Sequence, residues 1–122
     1  MRARVLLQPT YTLAAAAQQE ARFAKPVGHG KTGVAIVNVY RKASTGTVTF
    51  QIETASQKAV RADTTNPFWV NCYSSGTSVL TGAAANGIAV KFKIADLGEF
   101  IRWNVNTPES IDFDITVYLS DT

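Results

Sequence analysis

The chain has 122 residues, with twelve Lys and Arg against nine Asp and Glu, one cysteine and one histidine. That is one domain's worth of chain, able to bury a stable core without disulfide staples, and its 46% hydrophobic and 17% charged content excludes a disordered chain. The net charge of +3 is scattered, with Met1-Arg2-Ala3-Arg4 and Arg41-Lys42 as the local clusters, so no nucleic-acid partner is expected; no stretch approaches the roughly 18 apolar residues of a membrane span, so no membrane partner is expected either.

The charged share is below the usual quarter. Two readings stay open: a surface partly covered by partner protein, or a β surface rich in Thr, Ser and Asn. Cys72 has no second cysteine to pair with and sits in an apolar run, which reads as a small core residue.

Residues 1–30 differ in character from the rest. Arg2 and Arg4 before Val5-Leu6-Leu7 have the outline of a signal peptide, but Gln8, Pro9 and Thr10 break the apolar run too early. Thr12 to Arg22 is rich in helix formers, with Thr10 or Thr12 as a cap and Pro26, Gly28 and Gly30 as stops. Its apolar residues are mostly alanine, so a helix would need a partner to pack on. A short helix and an extended arm are equally consistent with residues 12–24.

From Lys31 the hydrophobic period changes to two. Gly33 to Tyr40 is an almost continuously apolar strand, and Thr47 to Thr54 alternates, with Val48, Phe50 and Ile52 on one face. Ser44-Thr45-Gly46 between them predicts a hairpin. Lys58 to Asn66 reads as a polar loop. Pro67 opens the strand Phe68 to Tyr73, and Val79-Leu80 is a short strand. Ile88 to Ile94 puts Val90, Phe92 and Ile94 opposite Ala89, Lys91 and Lys93. Glu99 to Thr107 puts Ile101, Trp103 and Val105 inward. In the last strand Ile111, Phe113, Ile115, Val117 and Leu119 alternate with Asp112, Asp114, Thr116, Tyr118 and Ser120. A one-residue slip there would bury two aspartates, so its register is strongly specified. The expected fold is all-β: an antiparallel, jelly-roll-like β-sandwich over residues 31–122, with residues 1–30 as an N-terminal arm or short helix and a hinge.

Little in the chain points to chemistry. One His and one Cys do not make an ordinary zinc site. Asp112 and Asp114, about 7 Å apart along a strand, could join loop carbonyls around calcium, but such alternation is more simply a solvated strand face. Glu53, Glu99, Asp112 and Asp114 are the carboxylates from which a glycosidase pair would have to come, and nothing places one in an apolar pocket. Gly30-Lys31-Thr32 matches the end of a phosphate-loop frame, but Lys25 stands where its first glycine should be and a strand follows, not a helix. No nucleophile, base and orienter assemble. No catalytic residue, metal or cofactor is therefore expected.

Three segments carry a resemblance: Gly46 to Ser56, Leu97-Gly98-Glu99-Phe100-Ile101-Arg102-Trp103-Asn104-Val105, and Ile111 to Leu119. Together with a Trp-containing strand they resemble small β-sandwich structural proteins of tailed bacteriophages, of the capsid decoration (cement) or head-associated type. The long polar connection from Gln57 to Pro67 departs from that pattern. The resemblance implies a non-enzymatic structural protein of the virion, a homo-oligomer whose partners are the major capsid protein or other virion proteins. On that reading Arg2, Arg4, Val5, Leu6, Leu7, Tyr11 and Arg22 are the partner-binding residues, and removing residues 1–24 should leave a folded sandwich that no longer binds particles. The alternative is a carbohydrate-binding module, adhesin or lectin-like, presenting Trp69 and Tyr73 as surface aromatics to a glycan.

Overall fold

A computed structural model describes residues 3–20, 23–27, 32–42, 46–56, 69–72 and 87–120, and the backbone of 77–80. Within them the chain forms ten strands and no α-helix: β1 (Ala3–Leu13), β2 (Ala17–Gln18), β3 (Lys25–Pro26), β4 (Thr32–Lys42), β5 (Val48–Ala55), β6 (Val70–Asn71), β7 (Thr77–Leu80), β8 (Ile88–Ile94), β9 (Phe100–Asn106) and β10 (Ile111–Ser120).

The strands make two antiparallel sheets. Sheet A has the order β1-β10-β4-β8; in sheet B, β9 and β5 are central, with β2 and β3 on the outside of β9 and β6 and β7 on the outside of β5. If β2 with β3, and β6 with β7, are each taken as one interrupted strand, the sandwich has eight strands. Every connection then crosses between the sheets except the one from β5 to β6 and β7. This is the jelly-roll arrangement expected from the strand pattern.

The core is the filling between the sheets, supplied by the alternating rows. Ile111, Phe113, Ile115, Val117 and Leu119 of β10 are buried, as are Val48, Phe50 and Ile52 of β5 and Ile101, Trp103 and Val105 of β9. β4, almost continuously apolar in sequence, alternates in burial: Gly33, Ala35, Val37 and Val39 face inward while Val34, Ile36 and Asn38 are half-buried. At Gly33 and Gly98 the packing leaves no room for a side chain. A Cβ on Gly98 would lie 2.8 Å from the Ala55 carbonyl oxygen, and the Gly98 amide donates to Thr54 Oγ1 at 2.7 Å. The Leu97-Gly98 turn thereby locks the start of β9 onto the end of β5.

Two expectations are corrected. The β4–β5 hairpin does not form, because the two strands lie in opposite sheets. The connection between them is long enough to cross the ~10 Å between packed sheets, so their apolar rows face each other across the core instead of lying side by side. Residues 3–20 of the N-terminal segment are neither a free arm nor a helix. Residues Ala3 to Leu13 pair with β10 from Leu119 back to Ile111, and Ala17-Gln18 pairs with Asn104-Val105. An alanine-rich stretch buries too little to hold a helix together, whereas Ala17 and Gln18 at its end gain strand partners on β9. Leu7 and Leu13 are core residues, each contributing about 1.5–3 kcal/mol by burial. A chain without residues 1–24 would lose both, together with the whole outer partner of β10.

Candidate functional site

Of the predicted contact residues, Arg2, Arg22 and Tyr73 lie outside the described residues, as do His29 and the Gly30-Lys31 part of the phosphate-loop frame. Arg4, Leu6 and Tyr11 are exposed along β1, and Val5 is half-buried. Leu7 is not available as an anchor, because its side chain points into the core at 1% exposure. Trp69 is not a surface aromatic either. It does project from the outer side of sheet B, but it is buried against Ala24, Ala55 and the partly buried Phe100, with the Arg102 guanidinium carbon 4.7 Å from its ring centroid. A cation held against an aromatic face under a protein cover gains electrostatically.

Beneath Trp69 lies a buried charged network. Arg102 Nε donates to Glu53 Oε1 at 2.7 Å, Arg102 Nη1 to the Gln19 carbonyl at 3.4 Å, and Asn104 Nδ2 to Glu53 Oε2 at 3.2 Å. Glu53 is thus held in a structural pair. Asp112 and Asp114 sit on the opposite outer face of the molecule, where Thr12 Oγ1 donates to Asp112 at 2.7 Å and Asn38 Nδ2 and Tyr40 Oη donate to Asp114. No two of these three carboxylates face each other across a cleft. Cys72 belongs to the core; burial, with Glu53 adding to it, pushes its thiol up to about 12. At neutral pH it is a thiol and not a nucleophilic thiolate.

A concavity lies where the sandwich opens, between β1 at the edge of sheet A and β2 and β3 at the edge of sheet B. It has a volume of about 630 Å³, within the range of small-ligand sites. β1 bends around it, with register shifts against β10 between Leu6 and Gln8 and between Gln8 and Tyr11. Trp103 forms the inner wall: its indole N–H donates to Gln8 Oε1 at 2.9 Å. Its ring lies 6.3 Å from Tyr11 and 5.5 Å from Phe113, the latter edge-on. Gln19 closes the inner end, donating to the Leu7 carbonyl at 3.0 Å and accepting from the Trp103 amide at 3.2 Å. It thereby ties β1 to β9 across the gap. Tyr11 and Phe23 are exposed at the rims, at 45% and 52%, and Gln18, Glu20 and Lys25 add polar and charged groups to a lining that also includes Leu7, Pro9, Leu13 and Ala17.

Of these groove residues, sequence reasoning found Tyr11 and not Gln8, Gln18, Gln19, Glu20, Phe23 or Lys25. The signal that could have pointed to them is compositional. Gln18-Gln19-Glu20 interrupts the alanine run with side chains too polar for an alanine helix's buried face, and Gln8-Pro9 marks a break in an edge strand.

No family model matches the chain, and no curated protein matches it in sequence. Solved structures do resemble it. One is the SPBc2 prophage-derived protein YomS, at a TM-score of 0.51 and 8% identity, over 98% of this chain and 94% of that one. Another is the carbohydrate-binding module CBM6cm-2 from Cellvibrio mixtus lichenase 5A in complex with cellotriose, at a TM-score of 0.49 and 8% identity, over 98% and 97%. At 8% identity the likeness to the prophage-derived protein is one of fold, and it extends over nearly the full length of both chains.

Proposed function

We propose that this chain is a non-enzymatic structural protein of a bacteriophage particle, of the capsid decoration or head-associated type. It docks on the major capsid protein or another virion protein through the β1 edge and works as a homo-oligomer. The observation that carries the docking surface is the placement of β1. Leu7 and Leu13 root the strand in the core, while Arg4 and Leu6 are exposed and no strand flanks its outer side among the described residues. An edge strand held rigidly from behind presents side chains and unpaired backbone groups without the ordering cost of a flexible arm. The sequence resemblance to phage structural sandwiches supports this reading, and so does a fold shared with a protein of prophage origin.

The test is co-sedimentation of the purified chain with particles assembled without it, with mass spectrometry of native particles as the companion measurement. Wild type should pellet with particles and be detected in them, and the Arg4→Glu, Leu6→Asp double variant should stay folded and remain in the supernatant. A wild-type chain that neither pellets nor occurs in particles refutes the proposal.

A further inference from the structure

The groove between β1 and β2/β3 combines features that a protein-docking edge does not call for. Tyr11 is exposed but not loose: its ring is braced by Trp103 at 6.3 Å and by Phe113 edge-on at 6.3 Å. Two core aromatics thus fix the orientation of a half-exposed one. Phe23 stands at the other rim with half its surface open. Between them lie an amide, a carboxylate and an ammonium, those of Gln18, Glu20 and Lys25. The Gln8 and Gln19 side chains behind them are committed to Trp103 and to the backbone, so the back wall is preorganised.

The chemistry of this lining selects its occupant. A polyanion would require clustered cations, and Lys25 is balanced by Glu20 within the lining. An added peptide strand would require a regular ladder. Here β1 carries two register shifts between Leu6 and Tyr11 and has Pro9, which offers no N–H. A purely apolar ligand would strip water from the charged rim groups without replacing their hydrogen bonds. What remains is a neutral ligand with apolar C–H faces and a dense rim of hydroxyl groups.

We infer that this groove binds a neutral oligosaccharide. Sugar rings pack their C–H faces on Tyr11 and Phe23, while Gln18, Glu20 and Lys25 hydrogen-bond the hydroxyls. The inference does not rest on the particle-docking reading. That surface is read through Arg4 and Leu6, this one through Tyr11 and Phe23, so either can fail alone.

The experiment uses the full chain. A glycan array carrying neutral and anionic oligosaccharides is followed by NMR titration with the strongest neutral hit. Binding should be to neutral glycans, with amide shifts concentrated in residues 7–25 and around Trp103. Phe23→Ala and Tyr11→Ala should each weaken affinity about tenfold or more, the equivalent of about 1.4 kcal/mol. Tyr11→Phe should retain most of the binding, because the stacking face survives. Tyr11 is braced against the core, so its alanine variant is read only if its melting temperature is near wild type; half-exposed Phe23 carries the test otherwise. An array with no neutral hit overturns the inference, as does binding only to anionic glycans or affinity that Phe23→Ala leaves unchanged.

Discussion

The two outer faces of the sandwich are alike in sequence and opposite in structure. Both come from the polar half of alternating strands. On sheet A that half stays at the surface: Asp114 accepts from Asn38 and Tyr40, Asp112 from Thr12, and Lys91 and Lys93 are exposed. On sheet B the corresponding residues include Glu53 and Arg102, at 7% and 2% exposure, sealed under Trp69. The difference teaches that alternation says which face is the core and not whether the other face is wet. Side chains on the back of a sheet can build a second, smaller core there, as Ala24, Ala55 and Trp69 do here.

The two faces differ most at the buried ion pair. Arg102→Ala leaves the Glu53 carboxylate buried without its guanidinium, and urea unfolding should show a loss of about 3–5 kcal/mol. Replacing both partners together, as in Glu53→Gln with Arg102→Met, should cost less than Arg102→Ala alone, because no uncompensated charge stays inside. A double variant worse than the single one would mean that this face is wetter than its packing implies. Next comes Trp69→Ala, expected to cost about 3–5 kcal/mol if the site cannot collapse and to make the Arg102–Glu53 pair sensitive to salt. A loss under about 1 kcal/mol would place Trp69 on the open surface.

Cys72 beside Glu53 gives a smaller, pH-dependent effect. Its thiol is raised to about 12 in the folded chain from an ordinary 9.0. The folded state therefore keeps the proton that the unfolded chain releases. This contribution is intact below pH 9 and is lost as pH rises toward 12, at up to about 1.4 kcal/mol per pH unit. Urea midpoints should fall between pH 8 and 10 in wild type and fall less in Cys72→Ala; parallel declines would show the thiol to be solvated. The smallest effect belongs to sheet A. Asp114→Asn should change stability by less than about 1 kcal/mol. The Tyr40 hydroxyl is held above its ordinary value, mainly by its hydrogen bond to Asp114. The same substitution should bring one tyrosine's phenolate absorbance back to lower pH, and an unshifted titration would mean that the Tyr40–Asp114 bond does not form in solution.

Much of the fold was legible because the strands announce it. The rows of β5, β8, β9 and β10 were readable from period-two patterning, and Trp103 was placed in the core by it. Pairing was less legible, because Ser44-Thr45-Gly46 is a turn sequence that serves a hairpin and a crossover equally well. The N-terminal strand was hidden by composition. Ala14 to Ala17 favours a helix in isolation, and only the unpaired edges of β9 and β10 make an extended backbone better. Of the candidate site, Arg4, Leu6 and Tyr11 were found on β1, whereas Leu7 was misread as an anchor because Val5-Leu6-Leu7 carries no clear alternation. Apart from Tyr11 the groove was not legible, since Trp103, Gln8, Gln19 and Phe23 meet there from separate segments.

Period-two patterning specifies an antiparallel β-sandwich and which row of β5, β8, β9 and β10 is buried. Hydrophobic alternation is a local property, and burying two aspartates to shift it is costly. Which strands pair, that β1 completes sheet A, that Trp69 covers a buried arginine and that two sheet edges part to leave a groove emerge only in the folded chain. Those outcomes rest on backbone hydrogen bonds between residues some hundred positions apart and on the competition among edges for partners, neither of which has a local sequence signature.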